Sequence, residues 1–253
     1  MGATRILPSP NAVRKNRRRG TGARVGSVST ERALPEMRVY YDALMEAYGP
    51  QHWWPGRTRF EVIVGAILTQ NTSWSNVERA IAQLRREKLL SVAGIERVTV
   101  EKLSLLIRSS GYFRQKARKL KAFVEFLRER YDGSLDKMFA APTTDLREQL
   151  FAVHGIGPET ADSILLYAGG HAVFVVDAYT RRILERHDLM REKYTYEEIR
   201  RLFETNLPAD PAVFNEYHAL IVHTGKHFCR KSRALCEGCA LRRFLPQRPE
   251  ARS

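Results

Sequence analysis

Residues 150–168 read LFAVHGIGPETADSILLYA, and this stretch decides the fold. A helical pattern of apolar residues runs to Val153, the turn His154-Gly155-Ile156-Gly157 follows, and Pro158 opens a second helix. Each residue type has a local reason. Glycine at 155 and 157 lets the backbone take positive φ and come close to a partner. Proline suits the first helical position, where its missing N–H costs nothing. Val153 and Ile156 can bury their side chains and brace the turn. The new helix N-terminus offers unpaired N–H groups and the positive end of the helix dipole. The expected product is a helix–hairpin–helix in which Gly155, Ile156 and Gly157 cradle one phosphate. By pattern alone the stretch is equally an ordinary helix–turn–helix.

Outward from the hairpin, apolar residues recur at three- and four-residue spacing in both directions. The runs are 37–48, 60–68, 77–84, 103–107, 117–127 and 146–153, then 161–167, 179–184, 199–203 and 213–222. Breakers separate them: Gly49-Pro50, Gly94, Gly111, Asp132-Gly133, Pro142, Gly155, Gly169-Gly170 and Pro208. Only residues 171–176 look extended. The fold class is all-α, built from about ten short helices. Residues 1–36 are poor in apolar side chains and carry the run Arg14-Lys15-Asn16-Arg17-Arg18-Arg19. They are expected to be a disordered basic tail, either simply solvated or adding phosphate affinity.

The 253 residues carry 42 Lys plus Arg against 28 Asp plus Glu, a net charge of +14. Such a balance favours a polyanionic partner, nucleic acid before an acidic membrane surface. No apolar run is long enough to span a bilayer, and no apolar secretory segment stands near the start. The expectation is a soluble cytoplasmic protein, nucleoid-associated in a bacterium, and a monomer. The three cysteines, Cys229, Cys236 and Cys239, are odd in number and tightly spaced. That makes a poor disulfide framework and suggests a metal site or its remnant.

Residues 174–187 read FVVDAYTRRILERH, with Asp177 where an extended run becomes a helix. Aspartate there is a favoured N-cap. A carboxylate in a cleft could equally stabilise an oxocarbenium-like sugar and orient water. The tryptophan-rich stretch, Trp53-Trp54-Pro55 followed by FEVIVGAILTQNTSW over residues 60–74, reads either as core or as an aromatic pocket.

Together these motifs resemble the helix-hairpin-helix base-excision DNA glycosylases, the endonuclease III group, over about residues 37–245. In that group a Gly-x-Gly hairpin precedes a Val-Asp pair by about twenty residues, the place of Val176-Asp177 here. The resemblance implies double-stranded DNA with damaged bases as partner and Asp177 as the catalytic carboxylate. Gln70 matches the glutamine that fills the gap left by a flipped base. Lys226 and Arg230 match a loop that touches the DNA backbone. Relatives that also cut the backbone place a Schiff-base lysine in the hairpin's second helix, where this chain has Glu159. That substitution implies a monofunctional glycosylase. The spacing of Trp54 and Trp74 is similar to the branch that removes alkylated purines such as 3-methyladenine, whose aromatic faces suit a cationic base.

Two other functions stay open on sequence: a bifunctional glycosylase and lyase acting on oxidised pyrimidines, and a non-catalytic DNA-binding protein on the same scaffold. The family's [4Fe–4S] cluster uses four cysteines, and Leu245 stands at the fourth place. The cluster is therefore lost, or held by three cysteines, or replaced by zinc with His223 or His227. The expected architecture is a helical barrel over residues 61–171 and a second lobe from 37–60 with 172–253.

Overall fold

The computed structural model describes residues 37–51, 53, 56–190 and 194–246. The basic tail and Trp54 lie outside the described residues. All described residues belong to one unit, Leu34–Ser253.

The all-α expectation holds: among the described residues there are helices and turns but no strand, only a single bridge between Cys229 and Ala234. In chain order the α-helices are α1 (Met37–Tyr48), α2 (Arg59–Leu68), α3 (Trp74–Arg86), α4 (Val92–Arg97), α5 (Val100–Leu106) and α6 (Phe113–Tyr131). Then come α7 (Leu135–Phe139), α8 (Thr143–Ala152), α9 (Pro158–Ser163), α10 (Ala178–Arg186), α11 (Tyr196–Asn206) and α12 (Pro211–His227). The short α4 and α7 were invisible to periodicity, since one or two turns hold too few apolar positions. Gly94, expected to break a helix, sits inside α4. A Cβ there would lie 2.6 Å from the Leu89 carbonyl oxygen, so close chain approach selects the glycine.

Local signals set the boundaries. Thr58, Ser91, Thr99, Ser134, Thr195 and Asp210 each cap a helix by accepting from a backbone N–H of its first turn. Thr195 and Glu198 complete a reciprocal capping box on α11.

α2 is buried along nearly its whole length and packs against α3, α6 and α9. α12 packs against α1, α10 and the π-helical turn Ile164–Gly169 that continues α9. Residues 171–177 between that turn and α10 lie outside any helix and pair with no strand. Two of their N–H groups are satisfied from α11: Phe174 N–H donates to Glu204 Oε1 at 2.9 Å, and Val176 N–H donates to the Tyr196 hydroxyl at 3.3 Å. Phe174 is fully buried and stacks on Phe203 with centroids 3.9 Å apart. Burying such a ring stabilises by about 1.5–3 kcal/mol. The segment is thus fixed from both sides, and it delivers Asp177 to one place.

Candidate active site

The hairpin joins α8 to α9. Gly155 takes φ +79°, as its glycine predicts. A Cβ there would also strike the aliphatic stem of Lys119, at 2.5 Å. Gly157 does not follow the expectation: its φ is −94°, open to any residue. Nothing lies within 4 Å of a Cβ at that position, so the turn is open on that side and nothing in the protein requires the glycine. Val153 and Ile156 are buried beneath the turn, and Pro158 stands in the first turn of α9.

Below the hairpin, α9 is locked by a charge network. Arg147 of α8 donates to Asp162 through Nε at 2.6 Å and a terminal nitrogen at 3.0 Å, and it also reaches Glu197 of α11. Asp162 has no solvent exposure. Burial pushes its carboxyl above the ordinary range, and the guanidinium opposes that. Neither residue was singled out by sequence, since a charged pair on helices reads as solvated surface until the helices pack.

A cleft of about 800 Å³ opens beside the hairpin. Asp177, Glu159, Gln70, Trp74, Gly155, Gly157 and Lys226 of the residues expected from sequence all line it. Asp177 is both an N-cap and a cleft group. Its Oδ1 accepts from the Thr180 N–H at 2.8 Å and the Thr180 hydroxyl at 3.0 Å. Its Oδ2 lies 3.6 Å from His218 Nε2, too long for a hydrogen bond but close enough for charge attraction. Burial opposes ionisation of Asp177, yet His218 and the Thr180 donors outweigh it and hold the carboxyl below its usual value. His218 in turn meets the Tyr167 hydroxyl through Nδ1 at 2.5 Å. Sequence gave no sign of His218: a lone histidine on the buried face of α12 looks like core.

Gln70 spans from the end of α2 to the hairpin. Its Nε2 donates to the Thr160 hydroxyl at 2.9 Å and to the Gly155 carbonyl at 3.2 Å, while its oxygen accepts from Lys119 Nζ. Trp74 opens α3, half-buried, with its indole N–H donating to Glu78 at 2.9 Å. Trp53 also lines the cleft, with Lys226 Nζ 5.3 Å from its ring centroid. Arg230 is exposed and lies in the C-terminal loop rather than in the cleft.

The three cysteines do come together. Cys229, Cys236 and Cys239 line one small cavity with Leu245 among their neighbours. Burial and the two neighbouring thiols push the Cys239 thiol up. The space is about 20 Å³, room for roughly one water. Among the described residues no three or more His, Cys, Asp or Glu side chains are grouped to hold a metal. His223 packs at a tilt against the rings of Tyr48 and His227 and does not line this cavity. The residues present fit neither a four-thiolate cluster nor the zinc alternative. The loop is tied instead by arginines of α10. Arg182 donates to the Cys229 carbonyl at 2.6 Å and Arg186 to the Arg230 carbonyl at 2.9 Å.

An all-α scaffold that presents a Gly-x-Gly hairpin and an N-capping aspartate to one cleft defines a class, and comparison with known proteins bears this out. Residues 64–209 match the model of the HhH-GPD superfamily of base excision DNA repair proteins. The chain belongs to that superfamily and is a DNA repair glycosylase. It is 50% identical over 206 residues to a Methanocaldococcus jannaschii protein whose own assignment as a DNA repair glycosylase is provisional, covering 81% of this chain and 93% of that one. It is 28% identical to endonuclease III of Sulfolobus acidocaldarius over 75% of this chain and 83% of that one. Among solved structures, it is similar to the H. pylori 3-methyladenine DNA glycosylase bound to 1,N6-ethenoadenine. The TM-score is 0.65 at 27% identity, over 75% of this chain and 94% of that one. It shares its fold with an endonuclease III–DNA complex, with a TM-score of 0.71 at 22% identity, over 83% of this chain and 93% of that one.

Proposed function

We propose that this glycosylase hydrolyses the bond between deoxyribose and an alkylated purine, with water as nucleophile and an abasic site as product. The observation that carries the reading is the division of labour within Asp177. One oxygen is spent on capping α10, and the other stays ionised toward the cleft beside His218. A fixed negative charge in a partly dry cleft stabilises a growing oxocarbenium ion without reorganising during the reaction. It can also take the proton of the attacking water.

Three further features support the substrate class. Glu159 occupies the place where lyase relatives carry an amine, so no Schiff base forms there. Trp53, Trp74, Tyr167 and Tyr179 give the cleft aromatic walls, and two carboxylates add negative charge, a combination suited to a cationic purine. The similar H. pylori enzyme is a 3-methyladenine glycosylase by name. In this reading the DNA lies between the barrel lobe and the second lobe expected from the sequence, gripped through Gly155, Ile156 and Gly157 at the hairpin. Gln70 leaves its hairpin contacts to fill the gap of the flipped base. Lys226 and Arg230 meet the backbone.

A lyase reading would fall to Lys119, an amine that also lines the cleft. Two experiments test these readings. Incubation with duplexes bearing single lesions, followed by detection of freed base, is expected to release 3-methyladenine. Borohydride trapping is expected to yield no adduct, and efficient trapping would falsify the hydrolytic reading.

A further inference from the structure

Glu159 has no chemical step in the reaction just described: it stands in place of a lysine and adds charge to the cleft. Its surroundings are nevertheless built like those of a working group. It stands in the first turn of α9 and reaches into the same cleft as Asp177 at the start of α10. It is exposed to the water of the cleft, with Asp177, His218 and Arg181 near enough to act on its charge. Among the described residues no donor hydrogen-bonds its carboxyl, in contrast to Asp177 with its Thr180 cap. One cleft therefore holds two carboxyl groups in opposite settings, one tied and ionised, one untied. Such divergence is how a pair of carboxyls divides into a charged stabiliser and an acid.

We propose, resting on the glycosylase reading above, that Glu159 is a second catalytic residue. As a carboxylic acid it protonates the departing base, and this extends the enzyme's substrates from cationic purines to neutral lesion bases. A cationic alkylpurine leaves as a neutral molecule and needs no acid. A neutral base would leave as an anion unless a proton reaches it. The Glu159 O–H gives its proton to a ring nitrogen of the base as the C1′–N bond breaks, and the bonding electron pair departs with the base. Positive charge on the sugar faces Asp177. Water adds to C1′ and yields one proton to Asp177. Solvent then removes that proton and restores the one on Glu159.

The groups around Glu159 act in both directions. Burial and the Asp177 charge raise its carboxyl, while His218 of α12 and Arg181 of α10 lower it, and the balance sets it at about 7. Tyr167, Tyr179 of α10, Tyr196 of α11, Lys119 of α6 and Lys226 of α12 complete the ionisable lining. Glu159 is thus protonated below about neutral pH and charged above it, giving opposite pH dependences for the two substrate classes. The protonated form serves neutral bases. The ionised form favours cationic ones.

Single-turnover excision measured from about pH 5.5 to 8.5 on duplexes carrying 1,N6-ethenoadenine (neutral) or 3-methyladenine (cationic) tests this. For the wild-type protein, the neutral-base rate is expected to fall as pH rises through 7 and the cationic-base rate to rise. Glu159→Gln is expected to lower neutral-base excision on the order of 10²-fold at about pH 6 and to abolish both pH limbs. A flat neutral-base profile in the wild type, or a Glu159→Gln rate within about threefold of it, would overturn the proposal. The wild-type profiles stand even if the variant misfolds. Release of 3-methyladenine without ethenoadenine sinks the Glu159 role and leaves the Asp177 reading intact. Release of neither base sinks both.

Discussion

Replacing Arg147 with Met strips the guanidinium from a carboxylate that has no contact with solvent. Asp162 would keep the Tyr196 hydroxyl but lose two charge-assisted hydrogen bonds, at 2.6 and 3.0 Å. Glu197 is about a third exposed and retains Arg200 at 3.0 Å, so its share of the loss is small. The methionine stem keeps the apolar packing over Phe151, where the guanidinium now sits 4.5 Å from the ring centroid. What remains is one unpaired buried charge, which costs about 3–5 kcal/mol. At roughly 2–4 °C per kcal/mol for a chain of this size, melting should fall by about 6–20 °C. The pH dependence identifies the cause. Asp162 already lies above its unfolded value through burial, and losing Arg147 raises it further. The folded state then binds a proton that the unfolded state does not, so stability recovers as pH falls through the folded-state value. Thermal and urea unfolding at about pH 8 and pH 5 should show the larger deficit at the higher pH. Adding Asp162→Asn should return most of the loss. A deficit under about 1 kcal/mol at pH 8, or one unchanged at pH 5, would refute the argument that a buried, ionised Asp162 anchors the hairpin.

Asp177→Asn should leave melting nearly unchanged, because asparagine also caps helices, while base release falls by about 10³-fold. That figure follows from about 4 kcal/mol of lost charge stabilisation near 4 Å at an effective dielectric of 20. Single-turnover assays with a parallel DNA-binding titration would separate chemistry from affinity, and activity within threefold of wild type would remove Asp177 from the mechanism. Glu159→Lys places an amine beside Asp177, and borohydride should then trap an adduct that the wild-type protein does not form. Trp74→Ala should weaken 3-methyladenine excision by about tenfold through a lost aromatic face, and an unchanged rate would argue against Trp74 as a pocket wall. The purified protein should melt at the same temperature with and without chelator and show no absorbance near 400 nm (roughly where [4Fe–4S] proteins absorb), since Arg182 and Arg186 hold the cysteine loop; a chelator-induced drop would contradict that.

Much of the fold was legible because its signals are local. Three- and four-residue spacing located the long helices, and Gly155, Pro158 and Asp177 marked where they start and stop. The hairpin and the carboxylate could be read from neighbours in the chain because a cap or a turn is decided within about one helical turn. For Gly157 the positive φ did not materialise: its backbone is open to any residue, and no neighbour in the protein selects the glycine.

The sequence by itself determined the longer helices, the hairpin, the aspartate at the head of α10 and the missing fourth cysteine. Only the tertiary structure brought His218 to Asp177, Lys119 and Gln70 to the hairpin, and Arg147 to Asp162. It alone moved the two cleft carboxyls in opposite directions, Glu159 up and Asp177 down, since ionisation depends on burial and on charges carried by distant segments. Spacing along a chain encodes periodicity and capping. It does not encode which far-apart side chains will share a dry space once the helices pack.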